Sequence, residues 1–245
     1  MTEPGKAHPL LATVAEIQTI FANLGFSAAT GPERETEFYN FDALNVPSDH
    51  PARDMQDTFW IDENAPADGD DSTNAGSRRR VLRTHTTSAT ARYLEAAARD
   101  NHFPCAYYSC GKVFRNEATD ATHEMNFYQI DGCMVGKDIS LANLKYVLLE
   151  LYRKLLGDDV EIQLRPSFFP FVEPGLEVWV KFRDRWLEMM GAGMLHPQVL
   201  RNVGIDPSEY QGFAFGGGVD RVVMVKYDIS DVRYMYQGDL RLNQW

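Results

Sequence analysis

The stretch Lys112–Asp131, KVFRNEATDATHEMNFYQID, decides the fold. Its start is strand-like, with Val113 and Phe114 following an apolar run that holds Tyr107 and Tyr108. Arg115 and Glu117 stand two apart, so on an extended chain they share a face. A turn-rich segment, Ala118–Thr122, leads past His123 and Glu124 into a second strand, Phe127–Val135. There Phe127, Gln129 and Asp131 alternate with Tyr128, Ile130 and Gly132, so the first three lie on one side. Two antiparallel strands joined by this loop present Arg115, Glu117, His123, Gln129 and Asp131 on one surface. A guanidinium fork suits phosphate oxygens, while carboxylates and amides suit an ammonium group or a base edge. The plain alternative is a solvated sheet face with surface ion pairs, which contribute little.

A second stretch weighs against that alternative. In Gly212–Val225, GFAFGGGVDRVVMV, the glycines Gly216, Gly217 and Gly218 run into a helical pattern with Arg221 on its first turn. Glycine lets a backbone approach a ligand closely, and a helix N-terminus favours anions. Alone, a glycine cluster before a helix is a weak signal; paired with the first stretch it is a strong one.

The first stretch resembles motif 2 of the class II aminoacyl-tRNA synthetases (fRxE), and the second resembles motif 3 (gxgxxxR). More narrowly, the chain resembles the catalytic domain of phenylalanyl-tRNA synthetase alpha subunits. The resemblance is carried by FYNFDALNVPSDHPARDMQDTFW (Phe38–Trp60), LRTHT (Leu82–Thr86), VFRNEATDATHE (Val113–Glu124) and RPSFFPFVEPG (Arg165–Gly175). GAGMLHPQVL (Gly191–Leu200) and GFAFGGGVDR (Gly212–Arg221) extend it over nearly the whole chain. It implies an α+β fold, an antiparallel sheet of about six strands flanked by helices, in a single catalytic domain spanning residues 1–245. A parallel nucleotide-binding fold is not expected, because no GxGxxG follows a strand and no P-loop is present.

The resemblance also implies the chemistry: ATP-dependent activation of L-phenylalanine to phenylalanyl-adenylate, then transfer to tRNA(Phe). Arg115 would meet the α-phosphate and Arg221 the γ-phosphate, and these two are the candidate catalytic residues. Glu117, His123 and Gly218 would bind ATP, with Phe127 stacked on adenine. His85, Thr87, Gln129, Asp131 and Gly216 would hold the amino acid, and Phe169, Phe171 and Ala214 would wall its ring. Glu188, a lone carboxylate in an apolar strand, is the candidate magnesium ligand. Relatives usually carry Ser and Gln where Thr87 and Thr90 stand, and Glu where Asp131 and Asp220 stand. A paralogue kept as a binding or regulatory module, or one activating another amino acid, is the alternative reading.

The 245 residues suffice for a sizeable core, and no apolar run approaches a membrane span. The N-terminus has no signal-peptide pattern. Three cysteines, Cys105, Cys110 and Cys133, form no CxxC and suit a reducing cytoplasm as buried small hydrophobes. The cysteine-rich zinc insertion of some relatives is reduced here to the link KFRDR, so no structural zinc is expected. A net charge of −11 argues against this chain as the main tRNA-binding surface. Only seven residues precede His8, too few for the helical tRNA-binding arm of relatives. A beta subunit in an alpha-two beta-two assembly is therefore expected as partner.

Along the chain, Leu10, Val14, Ile17, Phe21 and Leu24 predict an amphipathic helix, read through the resemblance as an interface element. Residues 33–52 read as a structured loop and 54–61 as strand-like, with Trp60 near the pocket. Residues 62–80 read as a mobile surface loop ending in an arginine run, Arg78–Arg80, with Arg83 nearby. Thr87 or Ser88 is expected to cap the next helix. Ser140–Leu156 predicts a scaffold helix, Val160–Leu164 a strand, and Leu176–Val180 with Trp186–Met190 a strand pair. The segment Phe213–Ala214–Phe215 is expected to complete the aromatic slot.

Overall fold

The structure, a computed structural model, describes residues 6–53, 57–61, 79–238 and 242. Helix α1 (Pro9–Asn23) is followed by the short strands β1 (Ser27–Ala28) and β2 (Arg34–Thr36). A π-helical turn (Phe38–Asp42) and a 3-10 turn (Pro51–Arg53) come next, so part of the expected loop over 33–52 is regular. Then follow β3 (Trp60–Ile61), β4 (Arg80–Leu82), α2 (Thr87–Arg99), β5 (Cys105–Phe114) and β6 (Asn126–Gly136). The chain continues through α3 (Leu141–Leu156), β7 (Glu161–Phe169), β8 (Val172–Phe182) and β9 (Arg185–Leu195). It ends with α4 (Pro197–Asn202), β10 (Gln211–Gly218), α5 (Val219–Tyr227) and a 3-10 turn (Val232–Met235). The expected loop over 62–80 lies outside the described residues as far as 78, and Arg80 belongs to β4 instead.

Seven strands form one sheet in the order β1-β5-β6-β10-β9-β8-β7. All neighbours are antiparallel except the two-residue edge strand β1, which runs parallel to β5. The six antiparallel strands match the expected number, and β1 adds a short parallel edge. A small second sheet, β2-β4-β3, stands apart. Side chains alternate across the large sheet, so Ile130, Phe213 and Phe215 pack with α1, α3 and α5, while Cys133, Val135 and Ala214 pack with α2, α4 and the π turn.

The apolar stripe of α1 faces inward. Leu10, Ile17 and Phe21 are buried, and the Phe21 ring stacks on Tyr108 at 5.3 Å and on Phe215 at 5.4 Å. Each such side chain contributes about 1.5–3 kcal/mol of burial. The expected interface stripe is thus spent on this chain's own core, and Leu11 is the exposed large apolar residue of the helix. Helix α3 is scaffold as expected: Asn143 accepts from the backbone N–H of Ser140 at 2.9 Å and closes a capping box. Among the described residues no helix is long and apolar enough to cross a membrane.

Candidate active site

The β5–β6 hairpin sets the floor of the site. Its register pairs Val113 with Phe127, Gly111 with Gln129 and Ser109 with Asp131, so the odd residues of β6 share the face opposite the α1–α3–α5 core. The loop from Arg115 to Met125 is closed at its base, where the Arg115 N–H donates to the Met125 carbonyl at 2.8 Å. Farther out, Asp120 accepts from the backbone N–H of Thr122 at 2.6 Å and of His123 at 2.8 Å. These bonds hold the exposed Asp120 carboxyl well below the usual carboxylate range. The carboxy-terminal 3-10 turn braces the loop through Val232 N–H and Ala121 C=O, 2.9 Å apart.

Asp131 is the buried anchor. Thr86 and Thr87 both donate hydroxyls to its carboxylate, Thr87 at 2.6 Å. Thr86 occupies the cap position of α2, but neither it nor Thr87 caps the helix, because their hydroxyls serve Asp131. Burial raises the Asp131 pKa to about 6 against the pull of these hydroxyls and of Arg115. Gly216 lies directly opposite in β10, where a Cβ would meet Asp131 Oδ1 at 2.2 Å. Any larger residue would displace the carboxylate.

The turn that carries His85 is held from the π turn. Asn40, fully buried, accepts from Thr84 N–H at 3.1 Å and donates to the Thr84 hydroxyl at 3.1 Å. The Asn40 carbonyl lies 3.0 Å from His85 Nε2. A carbonyl only accepts, so Nε2 carries the proton and Nδ1 is left as an acceptor. Burial and the neighbouring Arg115 lower the His85 pKa to about 4, which keeps the ring neutral. His85 Nδ1 and Gln129 Oε1 are buried without a hydrogen-bond partner. Unpaired buried polar atoms are costly, and both line the same cavity.

Arg115 is steered by its Nε, which donates to the Thr84 carbonyl at 3.2 Å, and its guanidinium lies 5.1 Å from the Phe127 ring centre. Arg221 projects from the first turn of α5 with no hydrogen bond or ion pair to another described residue. Its neighbour Asp220 is buried, accepting from Tyr236 OH at 2.7 Å and from Tyr128 N–H at 3.0 Å. Burial raises the Asp220 carboxyl to about 6. Asp220 therefore clips the start of α5 to β6 and to the carboxy-terminal turn, a larger part than its side-by-side position with Arg221 suggested.

The apolar end is built by the β7–β8 turn. Phe169 and Phe171 stack at 6.0 Å with planes 16° apart. Gly191 makes room for them, since a Cβ there would lie 2.9 Å from the Phe169 ring. Ala214 faces them from β10; Phe215 borders the cavity, but neither its ring nor that of Phe213 completes the slot. Strand alternation turns both rings into the opposite core, where Phe213 is fully buried.

One cavity of about 850 Å³ gathers the candidates. Its wall includes His85, Thr87, Gln129, Asp131, Ala214 and Gly216. Arg115, Glu117, His123, Phe127, Gly218 and Arg221 line it too, with Phe169, Phe171 and Glu188. Trp60 is not among the lining residues; it packs near Phe41 at 6.1 Å and under Arg79 at 3.9 Å. Arg83 is buried and donates to Lys112 and Gly31 carbonyls, so it is a structural cross-brace. Among the described residues no group of three or more His, Cys, Asp or Glu could hold a metal ion by itself.

Comparison with known proteins fits this architecture. The family described as tRNA synthetases class II core domain (F) matches residues 1–245. The phenylalanine–tRNA ligase alpha subunit of Clostridium perfringens (strain ATCC 13124) is 45% identical over 254 residues, covering 98% of this chain and 69% of that protein. The alpha subunit of the same name from Shouchella clausii (strain KSM-K16) is 45% identical, covering 97% of this chain and 67% of its own. That from Dehalococcoides mccartyi (strain BAV1) is 45% identical, covering 97% and 68%. The chain belongs to the class II tRNA synthetase core family and, within it, to the phenylalanine–tRNA ligase alpha subunits.

Proposed function

We propose that this chain activates L-phenylalanine with ATP and passes it to tRNA(Phe). A carboxylate oxygen of phenylalanine forms a bond to the α-phosphorus as the α–β bridging P–O bond breaks. The electron pair of that bond leaves with pyrophosphate, giving phenylalanyl-adenylate. The observation that carries this reading is a single cavity lined by two stacked phenylalanines, by Arg115 and Arg221, and by Gln129 and His85, whose Oε1 and Nδ1 are buried without a partner.

The residues supply orientation and charge rather than a nucleophile. Ionised Asp131 and Gln129 Oε1 accept from the substrate ammonium, and neutral His85 Nδ1 accepts a further N–H. Arg115 meets the α-phosphate, where negative charge develops, and Arg221 meets the γ-phosphate. Phe127 stacks on adenine beneath Arg115, and Glu117 and His123 at the loop position the base and phosphates. The three cysteines take no part, since burial pushes all three thiols up, Cys105 to about 11, Cys110 to about 12 and Cys133 as well.

Magnesium fits Glu188 as a shared ion. An exposed carboxylate on the cavity wall, without companions to form a full protein cage, suits a cation that keeps waters and phosphate oxygens as its other ligands. When bound there it would neutralise charge on the polyphosphate. We take residues 1–245 as one catalytic domain working with a beta subunit in an alpha-two beta-two assembly. The net charge of −11 supports a partner that carries most tRNA contacts. Three unpaired cysteines suit a cytoplasmic setting.

ATP–pyrophosphate exchange tests the reading. Phenylalanine is expected to drive exchange and other amino acids to do so poorly. A protein that binds ATP without exchange, or that exchanges best with another amino acid, would overturn it.

A further inference from the structure

Arg221 lines two cavities. Besides the main one it borders a smaller space of about 240 Å³, shared with Arg183, Arg185, Leu187, Met224 and Asp228. This space lies between α5 and the tip of the β8–β9 hairpin. The tip is a two-residue turn, Arg183–Asp184, with φ of 48° and 61°, and Arg185 opens β9 opposite Phe182. Three arginines thus line one concavity in a chain of net charge −11. Asp228 lies 3.6 Å from Arg183. Arg185 and Arg221 have no hydrogen bond or ion pair to another described residue. Like charges gathered on a small concave surface repel each other until an anion binds among them, and such a surface concentrates phosphoanions.

We propose that this side cavity receives pyrophosphate as it leaves the main cavity, with Arg221 handing the anion to Arg185 and Arg183. The inference rests on the activity proposed above, which releases that dianionic or more highly charged product beside Arg221. A compact polyphosphate matches a single small concavity. An RNA backbone would call for a basic stripe running along the surface, and the acidic net charge argues against one. Asp228 is the group an incoming anion displaces from Arg183. Microscopic reversibility makes the same residues the entry site for pyrophosphate in the exchange direction.

Steady-state exchange with pyrophosphate as the varied substrate tests this on the assembled enzyme. Arg185→Ala is expected to raise the KM for pyrophosphate about tenfold, and Arg183→Ala with Arg185→Ala to raise it further. Arg185→Lys is expected to recover part of the loss, because a point charge remains without the fork. Arg153→Ala, which removes a surface charge on α3, is the charge control and is expected to leave that KM where it was. An unmoved pyrophosphate KM in Arg185→Ala would overturn the inference, as would a rise confined to the KM for tRNA. Absence of exchange in the parent protein would overturn the proposed activity itself, and this inference with it.

Discussion

At the end of the main cavity proposed to hold the amino acid, Asp131 and Thr87 are tied to one another, Gly216 sits against them, and Asn40 fixes the His85 turn from behind. At the end proposed to hold the phosphates, Glu117 and Glu188 are exposed, and Arg221 has no hydrogen bond or ion pair to another described residue. The first end is assembled before a substrate arrives, so its selectivity comes from shape and from polar atoms already fixed in place. The second leaves the side chains of Arg221, Glu117 and Glu188 without a hydrogen bond or ion pair to another described residue, so it gains most when a bound polyanion and its cation engage them. The difference teaches that the two ends can be struck separately through Ala214 and Arg221, while Arg115, whose charge reaches His85 and Asp131, joins them.

The largest effect is expected at the phosphate end. Arg115→Ala removes the proposed charge-assisted contact to the α-phosphate, which strengthens in the transition state, and single-turnover adenylate formation should fall by about a thousandfold. Circular dichroism and thermal melting should show the fold intact. A loss confined to the KM for ATP would assign Arg115 to ground-state binding alone. Next comes the amino-acid end. Asp131→Asn should lower kcat/KM for phenylalanine by about a hundredfold, with the KM for ATP little changed.

A pH profile sharpens the same contrast. The Asp131 pKa is raised to about 6, and the substrate ammonium needs the ionised form. Its contribution to phenylalanine binding is therefore full above that value and lost as pH falls through it. Asp220 titrates in the same range, so Asp131→Asn must abolish the acidic limb if Asp131 is responsible.

A smaller shift is expected from Ala214→Gly, which opens room opposite Phe169 and Phe171. The kcat/KM for para-chlorophenylalanine relative to phenylalanine should rise about tenfold. An unchanged ratio, with only a loss of stability of about 1 kcal/mol, would place Ala214 in the packing and outside the selectivity. The smallest is Tyr236→Phe. It deletes the hydroxyl on Asp220, and denaturant unfolding should report a loss of about 1 kcal/mol, with phenylalanine selectivity unmoved.

Most of the sheet could be read from local pattern. Period-two alternation placed Phe127, Gln129 and Asp131 on one face of β6, and helical spacing located α1 and α3, because both signals depend only on neighbours in sequence. The resemblance supplied the candidate residues, and folding brings them around one cavity. What escaped depends on contacts distant in sequence. Thr86 and Thr87 have the composition of helix caps, and only the approach of Asp131 diverts their hydroxyls. Asn40 acts through Thr84, 44 residues away, from a π turn that no local periodicity marks. The stripe of α1 reads the same whether it meets this chain's core or a partner, and Phe21 against Tyr108 and Phe215 decides for the core. Phe213 leaves the slot for a simpler reason: alternation along β10 puts it on the face opposite Ala214.

The most direct measurement is a crystal structure of the chain, in its working assembly, with a non-hydrolysable phenylalanyl-adenylate analogue. The account predicts the ammonium within hydrogen-bond distance of Asp131 and Gln129 Oε1, and the phenyl ring between Ala214 and the Phe169–Phe171 stack. Arg115 should meet the linker that replaces the α-phosphate, and the β6 and β10 backbones should scarcely move. An ammonium bound away from Asp131, or a ring seated outside the Phe169–Phe171 slot, would contradict it.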